Sequence, residues 1–198
     1  MPINQDLLHD ITIYLLYAGV AVLTFVMLER LVYYVHLMLR RSRIAKAIQV
    51  AVTRDASQPL PELDQSQDVL TRCMKEYVDV QRQAAVSRSR IEDLSAALFL
   101  RVDGSVNRGL WILDTIVTAA PLLGLLGTIL GIMDTFQALS AGGVSDPSAV
   151  SRGIGSALFA TAIGIGTALY GLLGHNVLHR LGESITEDFK GFLLEATK

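Results

Sequence analysis

The side chains best suited to chemistry in this chain recur every seven positions along one apolar segment: Asp114, Pro121, Thr128 and Thr135. Seven residues make nearly two turns of an α-helix, so these positions form one stripe along it. A carboxylate can bind a cation or a proton, and hydroxyls can donate to it or hold water beside it. We therefore interpret Asp114, Thr128 and Thr135 as candidates for lining a polar path. The alternative is that each hydroxyl bonds the carbonyl four residues earlier and that Asp114 is an interfacial residue.

A second apolar segment carries one threonine, Thr161, beside small residues at three- and four-residue steps. These small residues are Gly153, Ala157, Ala160, Gly164, Ala168 and Gly171. Such a face is almost bare backbone and allows another helix to approach closely. The predicted packing positions are Ala157, Ala160, Gly164 and Ala168, with Gly124 and Gly131 beside the polar stripe. The Thr161 hydroxyl faces either a neighbouring helix or a polar path.

Three apolar segments are long enough to cross a bilayer, which takes about 20 residues of helix. They predict transmembrane helices at 11–39, 110–133 and 153–178. Hydrophobic residues make up 51% of the chain and charged residues only 18%, which is too apolar for an ordinary soluble domain. The first segment is predicted to be a retained helix, because no basic stretch precedes it and no small-residue cleavage site follows it.

Basic residues indicate how these segments cross the membrane. Four follow the first apolar segment and two precede the second: Arg40, Arg41, Arg43, Lys46, Arg101 and Arg108. By the positive-inside rule, 40–109 is a cytoplasmic helical loop and 179–198 a cytoplasmic tail. The N-terminus, 1–10, and the loop 134–152 are then periplasmic. The net charge of −2 gives no indication of nucleic-acid binding.

The regions outside the membrane are predicted to be helical too. Pro59 and Pro61 interrupt the cytoplasmic loop, and an amphipathic pattern follows over 64–106. This pattern fits either a helical hairpin or one long helix that runs into the second span. Asp146 and Pro147 can start a helix leading into the third span. The predicted fold is thus an all-α integral membrane protein, with three transmembrane helices extended by cytoplasmic amphipathic helices.

No pattern in the chain indicates enzymatic chemistry. The sequence shows no nucleophile with a partnered base and no metal-ligand spacing. Gly124–Gly131, GLLGTILG, lacks the Lys-Ser/Thr ending of a phosphate-binding loop. Cys73 is the only cysteine, so no intrachain disulfide can form, and no histidine lies near it in sequence. We predict that the protein is not an enzyme and has no catalytic residues, no metal and no cofactor.

Two motifs resemble the MotA/TolQ/ExbB proton-channel family: APLLGLLGTILGIMDTF at 120–136 and GIGSALFATAIGIGTALYGLLGHN at 153–176. Three predicted spans favour the ExbB/TolQ branch over the MotA branch. The resemblance implies a homo-oligomer, which is pentameric in the family. This oligomer would lie in the bacterial inner membrane, in contact with membrane lipids. The ring would surround an ExbD/TolR-like single-span partner whose aspartate takes up and releases protons. Threonines that match Thr128 and Thr161 would line the proton path.

Within this family the resemblance leaves several roles open. An ExbB-like subunit would use the proton motive force to energise a TonB-like protein and TonB-dependent outer-membrane transport. The alternatives are a TolQ-like subunit for cell-envelope maintenance and a non-conducting membrane scaffold. Ser156 stands where many relatives carry a glutamate, five residues before the threonine of the third span, and a serine cannot carry charge there. Proton and sodium are not distinguished.

Overall fold

The computed structural model describes residues 5–53, 68–81, 87–142 and 147–196, which form five α-helices and, over these residues, no strand. The helices are α1 (Gln5–Thr53), α2 (Val69–Gln81), α3 (Arg88–Val106), α4 (Leu110–Gly142) and α5 (Pro147–Ala196). Three stretches are long and apolar enough to cross a membrane: Asp10–Leu39, Leu110–Ser140 and Pro147–Leu194. The predicted all-α membrane fold is confirmed, whereas the assignment of segments to either side of the membrane stays a prediction.

A proline and a glycine mark two of the helix boundaries. α5 begins at Pro147, because a proline at the first helical position needs no hydrogen-bond donor and has the right φ; Asp146 lies outside the described residues. α3 ends at Val106, and Gly109, with a φ of 85°, turns the chain into α4. This positive φ suits glycine and interrupts the helix. The amphipathic pattern predicted over 64–106 therefore does not run into the second apolar segment as one continuous helix.

One compact unit comprises Met1–Leu28 and Gly109–Val177. Thr12 lies near Gly127, and Gly19 lies near Ile116, so α1 and α4 run antiparallel. Leu23 contacts Gly171 of α5, whereas Thr135, late in α4, contacts Gly153, early in α5. Met27, four residues after Leu23, lies against Gly174, three residues after Gly171, so α1 and α5 run in the same direction. Helix α4 is therefore antiparallel to both of them.

The second compact unit comprises Glu29–Arg108 and Leu178–Lys198. Here α2 and α3 pack on one another as a hairpin, with Met74, Tyr77, Leu98 and Val102 among the buried residues. An ion pair of 2.7 Å between Glu76 Oε2 and Arg101 Nη1 joins the two helices at the surface. Cys73 is fully buried, and this burial raises the pKa of its thiol.

Side chains of α1 satisfy carbonyls at the end of α3. The Tyr34 hydroxyl donates to Val106 O at 2.9 Å, and Arg30 Nη1 donates to Ser105 O at 3.4 Å. Arg30 also forms a 2.9 Å ion pair with Glu29. The last carbonyls of a helix have no partner within it and carry partial negative charge. A buried hydroxyl and a buried guanidinium therefore cap α3 within this unit.

Candidate functional site: a threonine pair at a glycine crossing

Helices α4 and α5 approach one another so closely at Gly124 and Gly164 that their backbones touch. A Cβ added at Gly124 would lie 2.9 Å from Ala160 O and 3.2 Å from Gly164 Cα. A Cβ added at Gly164 would lie 3.0 Å from Gly124 Cα. These distances leave no room for a methyl group against rigid backbone. The crossing therefore depends on two glycines, one on each helix.

Most of the predicted packing positions are buried, and Gly124, Ala160 and Gly164 lie at the crossing itself. Ala157 and Ala160 are fully buried, and Gly124, Gly131 and Gly164 are buried as well. Ala168 is only half-buried. Because small residues line both helices, neighbouring backbone carbonyls come within reach of side chains on the facing helix.

Two threonine hydroxyls meet beside the crossing. Thr128 Oγ1 on α4 and Thr161 Oγ1 on α5 are hydrogen-bonded to one another. The carbonyl of Gly124 lies 3.1 Å from Thr128 Oγ1 and 3.0 Å from Thr161 Oγ1. Ala157 O lies 3.1 Å from Thr128 Oγ1. Both side chains are half-buried, so the pair is shielded but not sealed by this single chain.

The pair has more acceptors than hydrogens. Each hydroxyl carries one hydrogen and can also accept, whereas the carbonyls of Gly124 and Ala157 can only accept. Thr161 can thus donate to Gly124 O while Thr128 donates either to Ala157 O or to Thr161. Rotation of a hydroxyl exchanges these arrangements at little cost. A third group that approaches can therefore receive a hydrogen bond from this pair, while the other hydroxyl remains bonded.

Among the residues that the structure describes, the other threonines of α4 and α5 form no hydrogen bond to another helix. Thr135 donates to Gly131 O at 2.7 Å, Thr118 to Asp114 O at 3.0 Å and Thr167 to Ile163 O at 2.8 Å. In each of these bonds the acceptor lies four residues earlier in the same helix, which is the alternative interpretation considered for the polar stripe. Thr128 has such a bond too, but Thr161 reaches across to α4. The structure therefore separates Thr128 and Thr161 from the other threonines.

Asp114 and Thr135 lie away from the pair. Along α4 the rise of 1.5 Å per residue places Asp114 about 21 Å, and Thr135 about 10 Å, from Thr128. The Asp114 side chain is exposed and makes no hydrogen bond or ion pair among the described residues. Ser156, the position without the family's glutamate, is exposed on α5. Across the described ranges, no three His, Cys, Asp or Glu side chains are placed to hold a metal ion.

Two residues at the crossing were not singled out from the sequence. A Cβ added at Gly127 would lie 2.9 Å from Ala160 Cβ and 3.4 Å from Thr12 Cγ2. Thr12 of α1 is 3% exposed, so α1 covers the crossing. Gly127 follows Gly124 by three residues, a helical spacing that marks it as part of the packing face. No comparable signal surrounds Thr12.

A protein-family model covers the segment that contains this site. The model of the MotA/TolQ/ExbB proton channel family matches residues 61–190, which include both site threonines. The putative biopolymer transport protein ExbB homolog of Methanothermobacter thermautotrophicus is 35% identical over 114 residues, which are 58% of this chain and 39% of that protein. The Tol-Pal system protein TolQ of Haemophilus influenzae is 32% identical over 57% of this chain and 49% of its own length.

A third relative, the biopolymer transport protein ExbB of Helicobacter pylori, is 38% identical over 43% of this chain and 59% of its own length. The matched regions thus span about two fifths to three fifths of these relatives. The family match covers well over half of this chain and both motifs that carried the resemblance. The three apolar helices agree with a multi-pass membrane protein. This chain belongs to the MotA/TolQ/ExbB proton channel family, in its ExbB/TolQ-like branch.

Proposed function

We propose that this chain is an ExbB-like subunit of a proton-driven motor in the bacterial inner membrane. Copies of it form a ring, pentameric as the family resemblance implies, around an ExbD/TolR-like single-span partner. Proton flow through this assembly energises a TonB-like protein for outer-membrane transport. The observation that supports the proposal most directly is the interhelical Thr128–Thr161 hydroxyl pair within the apolar helices.

The pair suits a site beside which a carboxylate gains and loses a proton. An ionised carboxylate of the partner accepts a hydrogen bond from one hydroxyl, because charge-assisted bonds are stronger than bonds between neutral groups. When that carboxylate takes up a proton, the hydroxyl turns back to the carbonyl of Gly124 or Ala157. The threonines themselves keep their protons throughout. Their role in this proposal is to hold and orient the carboxylate or a water molecule beside it.

Asp114 and Thr135 enter this proposal as outlying members of the same polar path. Thr135 faces Gly153 of α5, and Asp114 is exposed at the opposite end of α4. Both lie too far from Thr128 for direct hydrogen bonds, so any connection runs through water or a partner.

Two further roles remain candidates because specific observations favour them. The similarity to a Haemophilus influenzae TolQ favours a TolQ-like role in cell-envelope maintenance, in which the same hydroxyl pair would act. The uncharged Ser156 favours a scaffold that assembles partners without conducting ions. Its position on α5 offers no group that titrates near neutral pH.

Reconstitution into liposomes tests the proposal. The chain is purified with an ExbD/TolR-like single-span protein and placed in vesicles that contain a pH-sensitive dye. An imposed proton gradient should produce a flux that requires both proteins and disappears when the partner's intramembrane carboxylate is changed to its amide. Replacing the proton gradient with a sodium gradient identifies the ion. If wild-type vesicles with both proteins conduct no ion, the scaffold alternative replaces the motor.

A further inference from the structure

Two exposed side chains of opposite charge lie near the start of α4. Arg108 precedes the helix and Asp114 is its fifth residue; both side chains are exposed. Neither makes a hydrogen bond or an ion pair with any residue that the structure describes. The nearby hydroxyls do not bond the Asp114 carboxylate. Thr115 donates to the backbone carbonyl of Trp111 at 2.8 Å, and Thr118 donates to the backbone carbonyl of Asp114 at 3.0 Å.

A lone carboxylate at this position needs an explanation. The partial positive charge at a helix N-terminus stabilises acids, but this effect falls off within the first turn. Asp114 lies beyond that turn and inside the apolar stretch Leu110–Ser140. Ionised side chains in such a stretch are costly unless they are paired or hydrated. The exposed Asp114 carboxylate is therefore available to a cationic partner outside this chain.

We propose that Asp114 of one copy forms an ion pair with Arg108 of the next copy around the ring, an inference that rests on the homo-oligomer of the proposed function. A closed ring uses head-to-tail interfaces, in which two different patches of the same chain meet. The two patches of each copy must therefore be complementary to one another. Arg108 and Asp114, which lie close together in sequence, provide one positive and one negative group for such patches. Trp111, exposed between them, supplies the large aromatic surface that is enriched at interfaces.

The charge pattern favours a second copy over the other two occupants of this surface. A lipid phosphate could bind Arg108 but would leave Asp114 unpaired. A basic residue of the single-span partner could bind Asp114 but would leave Arg108 unpaired. A second copy of this chain satisfies both charges with one repeated contact. The repetition also means that each added subunit adds the same ion pair.

Charge reversal in trans tests the pairing directly. Arg108→Asp and Asp114→Arg should each lower the fraction of chain in rings by about tenfold or more, because each interface then joins like charges. The double variant Arg108→Asp/Asp114→Arg should restore rings. Co-expressing the two single variants should restore them in part, since each chain then offers what the other lacks. Ring formation is measured by native mass spectrometry in mild detergent, with Asp93→Arg, a reversed exposed carboxylate on α3, as the control.

Neutral variants keep the test decisive if a reversed chain fails to fold. Arg108→Gln and Asp114→Asn should each weaken ring formation, and the combination should be no weaker than either alone. Normal rings in all single variants, or additive losses without rescue, would overturn the ion pair. Asp114→Asn rings that assemble normally but lose proton flux would overturn it too and would favour the path-lining role. If the rings require the Arg108–Asp114 ion pair but conduct no ion, this inference holds and the proposed motor function is wrong.

Discussion

At the level of single residues, the hydroxyl pair differs from the other threonines of the membrane helices by its acceptors. Thr167 and Thr135 bond carbonyls of their own helices, which any threonine in an apolar helix can do. Thr161 bonds Gly124 O and Thr128 on α4. A hydroxyl with partners on another helix depends on helix packing. Such a hydroxyl is positioned to form a hydrogen bond with a group that enters the gap between the two helices.

Thr128→Val and Thr161→Val should reduce partner-dependent proton flux by about tenfold, since a hydrogen bond to a charged group is worth about 1.5–3 kcal/mol. Valine keeps the shape of threonine and removes only the hydroxyl, so the amount of assembled protein should hardly change. Thr167→Val is the matched control, because it removes a hydroxyl whose recorded bond lies within α5. Flux is measured in the liposome assay described above. Equal flux in all three variants would contradict a role for the pair.

At the level of the helices, the small residues whose spacing predicted a packing face form contacts between helices of the same chain. Gly164 meets Gly124, and Gly171 lies against Leu23 and Val117. The face is therefore used by α4 and α1 of the same subunit. We accordingly expect substitutions on it to affect folding of the three membrane helices before they affect contacts between subunits.

Gly164→Ala should lower the free energy of unfolding by about 1–3 kcal/mol, because its methyl group would be forced against the backbone of α4. Ala160→Leu and Gly164→Leu should be more severe for the same reason. Gly166→Ala is the control: a Cβ there meets nothing within 4 Å, and alanine favours the helix by about 0.8–1 kcal/mol over glycine. Denaturation of detergent-solubilised protein, followed by circular dichroism, measures both. A Gly164→Ala variant as stable as Gly166→Ala would refute the tight crossing.

The capping of α3 by α1 makes a separate prediction. Tyr34→Phe should cost about 0.5–1.5 kcal/mol, because it removes a buried hydrogen bond to Val106 O. Tyr33→Phe should cost less, since its hydroxyl is 3.3 Å from Ser105 Oγ in a half-buried setting. The readout is the denaturation midpoint of each variant. An identical midpoint for both would show that the cap contributes little.

At the level of the whole molecule, the distribution of basic residues predicts how the chain is arranged across the membrane. Charge placement predicts that α2 and α3 lie in the cytoplasm and that the loop before α5 lies in the periplasm. Native Cys73 cannot report this, because it is fully buried and its raised pKa keeps the thiol protonated at neutral pH. Exposed positions are needed instead.

In a Cys73→Ala background, Ala149→Cys should react with a membrane-impermeant thiol reagent in intact cells, and Ala97→Cys should not. Both positions are exposed, on α5 and α3 respectively, so the difference would reflect the side of the membrane rather than burial. Ala97→Cys should react fully once the membrane is permeabilised, which verifies its accessibility. The opposite labelling pattern would reverse the predicted topology.

Properties that depend on neighbouring residues along the chain could be predicted from the sequence. The three apolar stretches, the all-α fold and the family follow from segment length, helical period and two short motifs, each of which is local. The small-residue face of α5 is visible in the same way, because helical spacing alone puts Ala157, Ala160 and Gly164 on one side. The sequence did not distinguish a hairpin from one long helix after Pro61, because both arrangements bury the same apolar positions.

Only the tertiary structure decided which polar residues meet. Thr128 and Thr161 come together because Gly124 and Gly164 set the distance and register of the crossing, and these depend on contacts 33 to 40 residues apart in sequence. The seven-residue pattern grouped Asp114 with Thr128, although a rigid helix holds them about 21 Å apart. Periodicity predicts the face on which a residue lies but not its partner across the gap, which is determined by how closely the backbones can approach.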